Sequence, residues 1–103
     1  NRILPRDLPF TSIHAVAGIA NPASFFNTLR ELGFQVVEHI FADHHRFQAG
    51  DLDFQDSLPV VMTEKDAVKC ERLEGSNASH WYLEVRAMLP DTFIESILNR
   101  ITQ

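Results

Sequence analysis

Three times along this chain a short strand-like run gives way to a turn and then to a helix-forming or polar segment, and few folds accommodate that order. Ser12-Ile13-His14-Ala15-Val16-Ala17 is almost wholly apolar and stops at Gly18, the pattern of a strand buried on both faces. Asn21-Pro22 then supplies an N-cap followed by proline at the first helical position. Phe25, Phe26, Leu29 and Leu32 fall on one helical face, and Gly33 stands where a helix end favours glycine. A second strand runs from Phe34 to Ile40 and leads into Phe41-Ala42-Asp43-His44-His45-Arg46-Phe47. Beyond it, Gly50-Asp51-Leu52-Asp53-Phe54 is at most a short helical turn. The third unit opens with Leu58-Pro59-Val60-Val61-Met62 and continues as Thr63-Glu64-Lys65-Asp66-Ala67-Val68-Lys69, with Thr63 as cap and Asp66 at N3.

Trp81-Tyr82-Leu83-Glu84-Val85 reads as a fourth strand. A final helix is expected from Pro90, with Phe93, Ile94, Ile97, Leu98 and Ile101 along one stripe. Strands alternating with helices at this spacing predict an α/β fold: a three-layer, Rossmann-like domain whose mainly parallel sheet is flanked by helices. No internal repeat or low-complexity tract interrupts it.

With 103 residues, 45% of them hydrophobic and 22% charged, the chain has the material for one small core. A net charge of −5 leaves no broad basic surface, which argues against nucleic acid as a partner and against bulk electrostatic attraction to anionic lipid. The single cysteine, Cys70, has no partner for an internal disulfide and reads as a packed helix residue. No apolar run approaches the roughly 20 residues of a membrane span. The chain starts at Asn1 without an initiator methionine, so the expectation is a piece of something longer, with residues 1–11 as a linker and 12–103 as the folded unit.

The candidate chemistry lies in three loops that follow strands, the side on which open parallel sheets bind ligands. Asp43, His44 and His45 place a carboxylate beside two imidazoles, and histidine is the side chain whose ordinary pKa, about 6.5, suits proton transfer near neutral pH. A solvated turn is the alternative. The three are adjacent, so they do not converge as metal ligands do, and no metal site is expected. Gly18 before a helix start can receive an anion on free N–H groups, but a tight turn with a cap is the simpler reading. None of the four glycines belongs to a G-x-x-x-x-G-K-[ST] phosphate cradle. Lys65 and Asp66 can meet a phosphate or can serve only as solvated face and helix start, and both readings stay open. His14, within an apolar strand, reads as a hydrogen-bonded core histidine, and Trp81 and Tyr82 as cover for the core edge. Asn77-Ala78-Ser79 matches a glycosylation sequon by chance.

Three blocks, His14 to Pro22 with Phe25, Phe26, Leu29 and Gly33, then Phe41 to Phe47, then Val60 to Lys69, occur in the order and at the separations of one family. The chain closely resembles the C-terminal part of the tetraacyldisaccharide 4'-kinases, the lipid A 4'-kinases of Gram-negative bacteria, from about Ser12 to Ile101. It departs from their pattern at Ala20, where glycine is usual, and at Ala42, where proline is usual. The resemblance implies a P-loop kinase of two α/β lobes, of which this chain is the second. ATP, Mg2+ and the Walker motifs then belong mostly to an upstream lobe, as does the membrane-associating segment. The implied reaction moves the γ-phosphate of ATP to the 4'-hydroxyl of a lipid A disaccharide 1-phosphate precursor, at the cytoplasmic face of the inner membrane. His44 takes the place of the family's C-lobe histidine, which pairs with an N-lobe aspartate on the attacking hydroxyl. Asp43 is a supporting residue, and His45, Lys65 and Asp66 are candidates for substrate or phosphate contact. The isolated chain is expected to be an inactive monomer that binds no cofactor.

Two other readings follow from the residues. One is an autonomous, non-catalytic Rossmann-like binding domain. The other is a metal-dependent phosphoesterase of the type named for its Asp-His-His triplet, whose further aspartate motifs are missing from this sequence.

Overall fold

The structure, a computed structural model, describes residues 2–4, 8, 11–70, 80–88 and 93–101. The elements in chain order are β1 (Arg2–Ile3), β2 (Ser12–Ala17), α1 (Pro22–Glu31), β3 (Gln35–Ile40), a 3-10 turn (Ala49–Leu52), β4 (Val60–Thr63), α2 (Glu64–Cys70), β5 (His80–Met88) and β6 (Phe93–Arg100). The six strands form one sheet in the order β1-β6-β5-β4-β2-β3. The pairs β2–β3, β2–β4 and β4–β5 are parallel, whereas β5–β6 and β1–β6 are antiparallel. This is the α/β architecture with a mainly parallel sheet that the strand and helix alternation predicts.

Period-2 alternation in the two central strands feeds two cores. Ile13, Ala15 and Ala17 of β2 join Val61, Leu83, Trp81 and Leu98 beneath Phe25, Phe26 and Leu29 of α1. On the other face Val16, Val60 and Met62 meet Ala67 and Cys70 of α2, together with Phe47 and Leu52 of the 41–59 connection. Both faces are covered, so β2 and β4 read as continuous apolar runs in the sequence. The 41–59 connection stands where a doubly wound fold would put its second helix. It has little regular structure, and Phe41, Phe47, Leu52 and Phe54 anchor it.

The ends of α1 follow local chemistry, with one correction. Pro22 is the first helical residue, but the side chain of Asn21 at the N-cap makes no capping bond. At the C-terminus Gly33 has φ 101, Phe34 N–H donates to Leu29 C=O at 3.2 Å, and Gly33 N–H donates to Arg30 C=O at 3.0 Å. That is the double bond pattern of a Schellman end, which needs a left-handed residue where glycine stands. At β4–α2 the expected cap is present: Asp66 N–H donates to Thr63 Oγ1 at 3.1 Å.

The expected last helix is instead a strand. Phe93, Ile94, Ile97 and Leu98 lie in β6, paired with β5 from Met88↔Phe93 to Trp81↔Arg100. A stripe rich in β-branched and aromatic residues is compatible with either state, and partners decide. Here β5 would otherwise be the open edge of the sheet, and β6 satisfies its backbone groups. Leu98 is fully buried opposite Leu83, while Asn99, on the other face, donates to Glu84 Oε2 at 2.8 Å. Pro90, the predicted start of that helix, and the sequon at Asn77 lie outside the described residues. Among the described residues no helix is long and apolar enough to cross a membrane.

Candidate functional site

After β2 the chain runs outward to β3 and then returns to the opposite side of β2 as β4. That reversal leaves a crevice between the C-terminal ends of β2 and β4, the place where open α/β sheets bind ligands. Three of the sequence candidates meet there. Phe41 N–H donates to Ala17 C=O at 2.9 Å, which lays the 41–47 loop across the end of β2. A Cβ placed on Gly18 would come within 3.2 Å of Ala42 C=O, 3.3 Å of Asp66 Oδ1 and 3.4 Å of Phe47 Cζ. Gly18 is therefore glycine because three segments converge on it, and the anion-receiving role is not available to its N–H. That group already donates to Asp66 Oδ2 at 2.8 Å.

Asp66 is fully buried, with its Oδ2 hydrogen-bonded twice and its Oδ1 without a hydrogen-bond partner among the described residues. Besides Gly18 N–H, its Oδ2 accepts the Thr63 hydroxyl at 2.8 Å, and its Oδ1 lies 3.8 Å from Lys69 Nζ. The sequence identified Asp66 as a helix-start residue but carried no signal of the 48-residue reach to Gly18. Lys65, by contrast, is exposed. The Cys70 thiol is buried and pushed up to about 12, first by burial and then by Asp66, so it is no nucleophile at neutral pH.

Asp43, His44 and His45 share one turn, closed by His45 N–H donating to Ala42 C=O at 2.9 Å, and their side chains part company. His44 has φ 64, a left-handed conformation that costs a residue with a Cβ about 1 kcal/mol or more and collects at functional loops. Its side chain is 83% exposed, with Asp43 Oδ2 3.7 Å from Nε2. His45 turns inward. Its Nε2 is 3.0 Å from Asp51 Oδ2, and its ring packs on Phe41 (centroids 4.8 Å apart) and edge-on against Phe47 (4.9 Å). The His45 bond and the Gln48 N–H hold the Asp51 carboxyl below its ordinary range. The triplet thus divides into one projecting imidazole and one structural imidazole. Among the described residues no three His, Cys, Asp or Glu side chains are grouped to hold a metal ion.

A second histidine cluster lies under the same connection. His14 Nε2 is 2.8 Å from Asp56 Oδ2, and His14 Nδ1 is 2.8 Å from His39 Nε2. The core-histidine reading of His14 is therefore correct, though the sequence did not point to His39 or Asp56 as its partners. Burial and the neighbouring His14 lower the His39 pKa, with Asp56 opposing them.

The model of the family described as tetraacyldisaccharide-1-P 4'-kinase matches residues 4–102. Among curated relatives, a tetraacyldisaccharide 4'-kinase of Alkalilimnicola ehrlichii is 56% identical over 77% of this chain and 23% of its own length. One of Alcanivorax borkumensis is 49% identical over 85% of this chain and 26% of its own length. A third, of Nitrosococcus oceani, is 46% identical over 90% of this chain and 27% of its own. The chain spans about a quarter of the length of the relatives it matches. No solved structure matches it.

Proposed function

Because the chain belongs to the tetraacyldisaccharide-1-P 4'-kinase family, we propose that residues 12–103 form the body of the C-terminal lobe of a lipid kinase, to whose sheet Arg2–Ile3 adds an edge strand, and that an upstream lobe completes the protein. In this reading the whole protein uses ATP to phosphorylate the 4'-hydroxyl of a tetraacyldisaccharide 1-phosphate, a step of lipid A biosynthesis at the cytoplasmic face of the inner membrane. In this reading nucleotide, Mg2+ and the membrane-associating segment belong mostly to the upstream lobe, as the family resemblance implies, and the Gly18 N–H of this lobe is already taken by Asp66.

What this lobe contributes is an imidazole. The observation that carries the proposal is His44 itself, strained, exposed and projecting from a loop that crosses the end of β2. Phosphoryl transfer depends mostly on positioning and electrostatics, with one residue orienting the nucleophile. An imidazole with one unprotonated nitrogen can accept or steer the proton of the acceptor hydroxyl as that oxygen attacks. Asp43, whose Oδ2 lies 3.7 Å from His44 Nε2, is the supporting residue, placed to hold the imidazole or its loop. The dyad partner of His44 is an aspartate of the upstream lobe.

The test is turnover in the full-length kinase. His44→Ala is expected to lower kcat by about 10²–10⁴-fold, the usual contribution of a general base, with the melting temperature kept. Asp43→Ala is expected to fall between His44→Ala and wild type. Near-normal turnover of His44→Ala would sink the assignment.

A further inference from the structure

We infer that His14 is a positioning residue, and that the hydrogen-bonded chain Asp56–His14–His39 fixes the connection that carries His44. The inference rests on the reading of His44 given above. His14 occupies the middle of β2, a strand paired on both sides, and its side chain is 8% exposed. An apolar residue would serve the sheet there at no polar cost, whereas a buried imidazole is tolerated only when its nitrogens are bonded. Both are bonded, one to Asp56 and one to His39, each at 2.8 Å. Phe54 stacks over both rings, with centroids 4.3 Å from His14 and 4.0 Å from His39 and interplanar angles of 27° and 20°. The second oxygen of Asp56 accepts Leu58 N–H at 3.0 Å. The return leg of the connection, from Phe54 to Leu58, is thus fastened to side chains of β2 and β3.

Long connections with little regular structure open at low free energy unless something holds them. Besides its apolar anchors Phe47 and Leu52, this one is held by hydrogen bonds at three places. At its start Phe41 bonds to the end of β2, and in its middle His45 bonds to Asp51. At its end is the Asp56–His14–His39 chain, an attachment made by polar side chains of β2 and β3. Its proton arrangement is self-consistent. The bond from His14 keeps the Asp56 carboxyl ionised to lower pH than usual, so His14 Nε2–H donates to it. His14 Nδ1 then accepts from His39 Nε2–H. The titratable groups acting on His39 are His14 and Asp56, and those acting on Asp56 are His14 and His39.

The experiment compares His14→Phe, His39→Leu and His39→Gln in the full-length kinase. Phenylalanine keeps a buried ring without its hydrogen bonds, and glutamine keeps an N–H that can still donate to His14 Nδ1. Amide hydrogen exchange is followed at His45, Asp51, Asp53 and Leu58, all bonded within the connection. Alongside it, kcat, KM and melting temperature are measured. His14→Phe and His39→Leu are expected to raise exchange at these amides about tenfold. They should lower kcat by about tenfold with KM nearly unchanged, as a misplaced reacting group does. His39→Gln is expected to recover most of both, and the double variant His14→Phe/His39→Leu to be no worse than His14→Phe alone. Unchanged exchange in His39→Leu overturns the clamp, and the melting temperatures of His39→Leu and His39→Gln, which differ in the bond to His14, separate it from a general loss of fold. Faster exchange with undiminished kcat overturns the positioning role. In that case His44→Ala, assayed beside it, reports separately on the reading beneath.

Discussion

Asp66 accepts the backbone N–H of Gly18 at 2.8 Å, joining the first turn of α2 to the loop between β2 and α1 across 48 residues of sequence. The same oxygen takes the Thr63 hydroxyl, so one buried carboxyl group closes the crevice end of both central strands.

Removing it should be costly. Asp66→Ala leaves the buried Gly18 N–H without its acceptor and is expected to lower stability by about 1–3 kcal/mol. Asp66→Asn retains an acceptor for Gly18 and should lose less. Urea unfolding of the two variants measures the difference, and equal stability of Asp66→Ala and wild type would contradict the bond.

Gly18→Ala tests the same junction from the other side. The added methyl group meets a backbone carbonyl, a buried carboxyl oxygen and a phenyl ring, at 3.2, 3.3 and 3.4 Å. Of these the Ala42 carbonyl is least able to move without dragging the His44 turn. Overpacking of this kind costs about 1–3 kcal/mol. Thermal unfolding checks it, and Gly50→Ala, where no atom lies within 4 Å, is the control.

Thr63→Ala should cost about 1 kcal/mol, the usual value of a lost N-cap, because Thr63 Oγ1 accepts Asp66 N–H. Turnover of the full-length protein should fall only modestly. A large loss of kcat with an unchanged melting temperature would move Thr63 from the helix start into the reaction.

His45 and Asp51 should behave as a structural pair. Both side chains are about one-third exposed, so the bond is expected to contribute about 1 kcal/mol or less. His45→Ala and Asp51→Asn should each lower stability slightly, and the double variant should cost less than their sum. His45→Ala should reduce turnover far less than His44→Ala. If His45→Ala is the inactive variant, the roles of the two imidazoles are reversed.

Acid should weaken the fold in two stages. Burial lowers the pKa of His80, and burial together with His14 lowers that of His39. Below about 6.5 the unfolded chain takes up protons that these folded imidazoles refuse, so stability falls as pH drops through and below that value. Asp51 and Asp56 have depressed folded pKa values, so their contribution is intact above the ordinary Asp value of 3.8 and is lost only below it. A melting-temperature profile from pH 8 to 3 should first decline near pH 6.5 and decline again below about 4. A flat profile between pH 7.5 and 5 would contradict the first stage.

The sequence by itself determined the elements whose signals are local. Apolar runs at Ser12–Ala17 and Val60–Thr63, proline at the start of α1, glycine at its end and threonine at the cap of α2 act within a few residues, so each could be read where it stands. The projecting turn at His44 was legible for the same reason. Tertiary structure decided what depends on partners distant in the chain. The residues from Phe93 to Leu98 suit a helix or a strand, and the open edge of β5 made them a strand. Asp66 reads locally as a helix-start residue, yet the sheet brings Gly18 to it. Nothing near His14 in sequence announces His39 or Asp56. The pairing of β2 with β3 and the return of the connection across the sheet set three polar groups within hydrogen-bond reach, and burial then required them to bond one another.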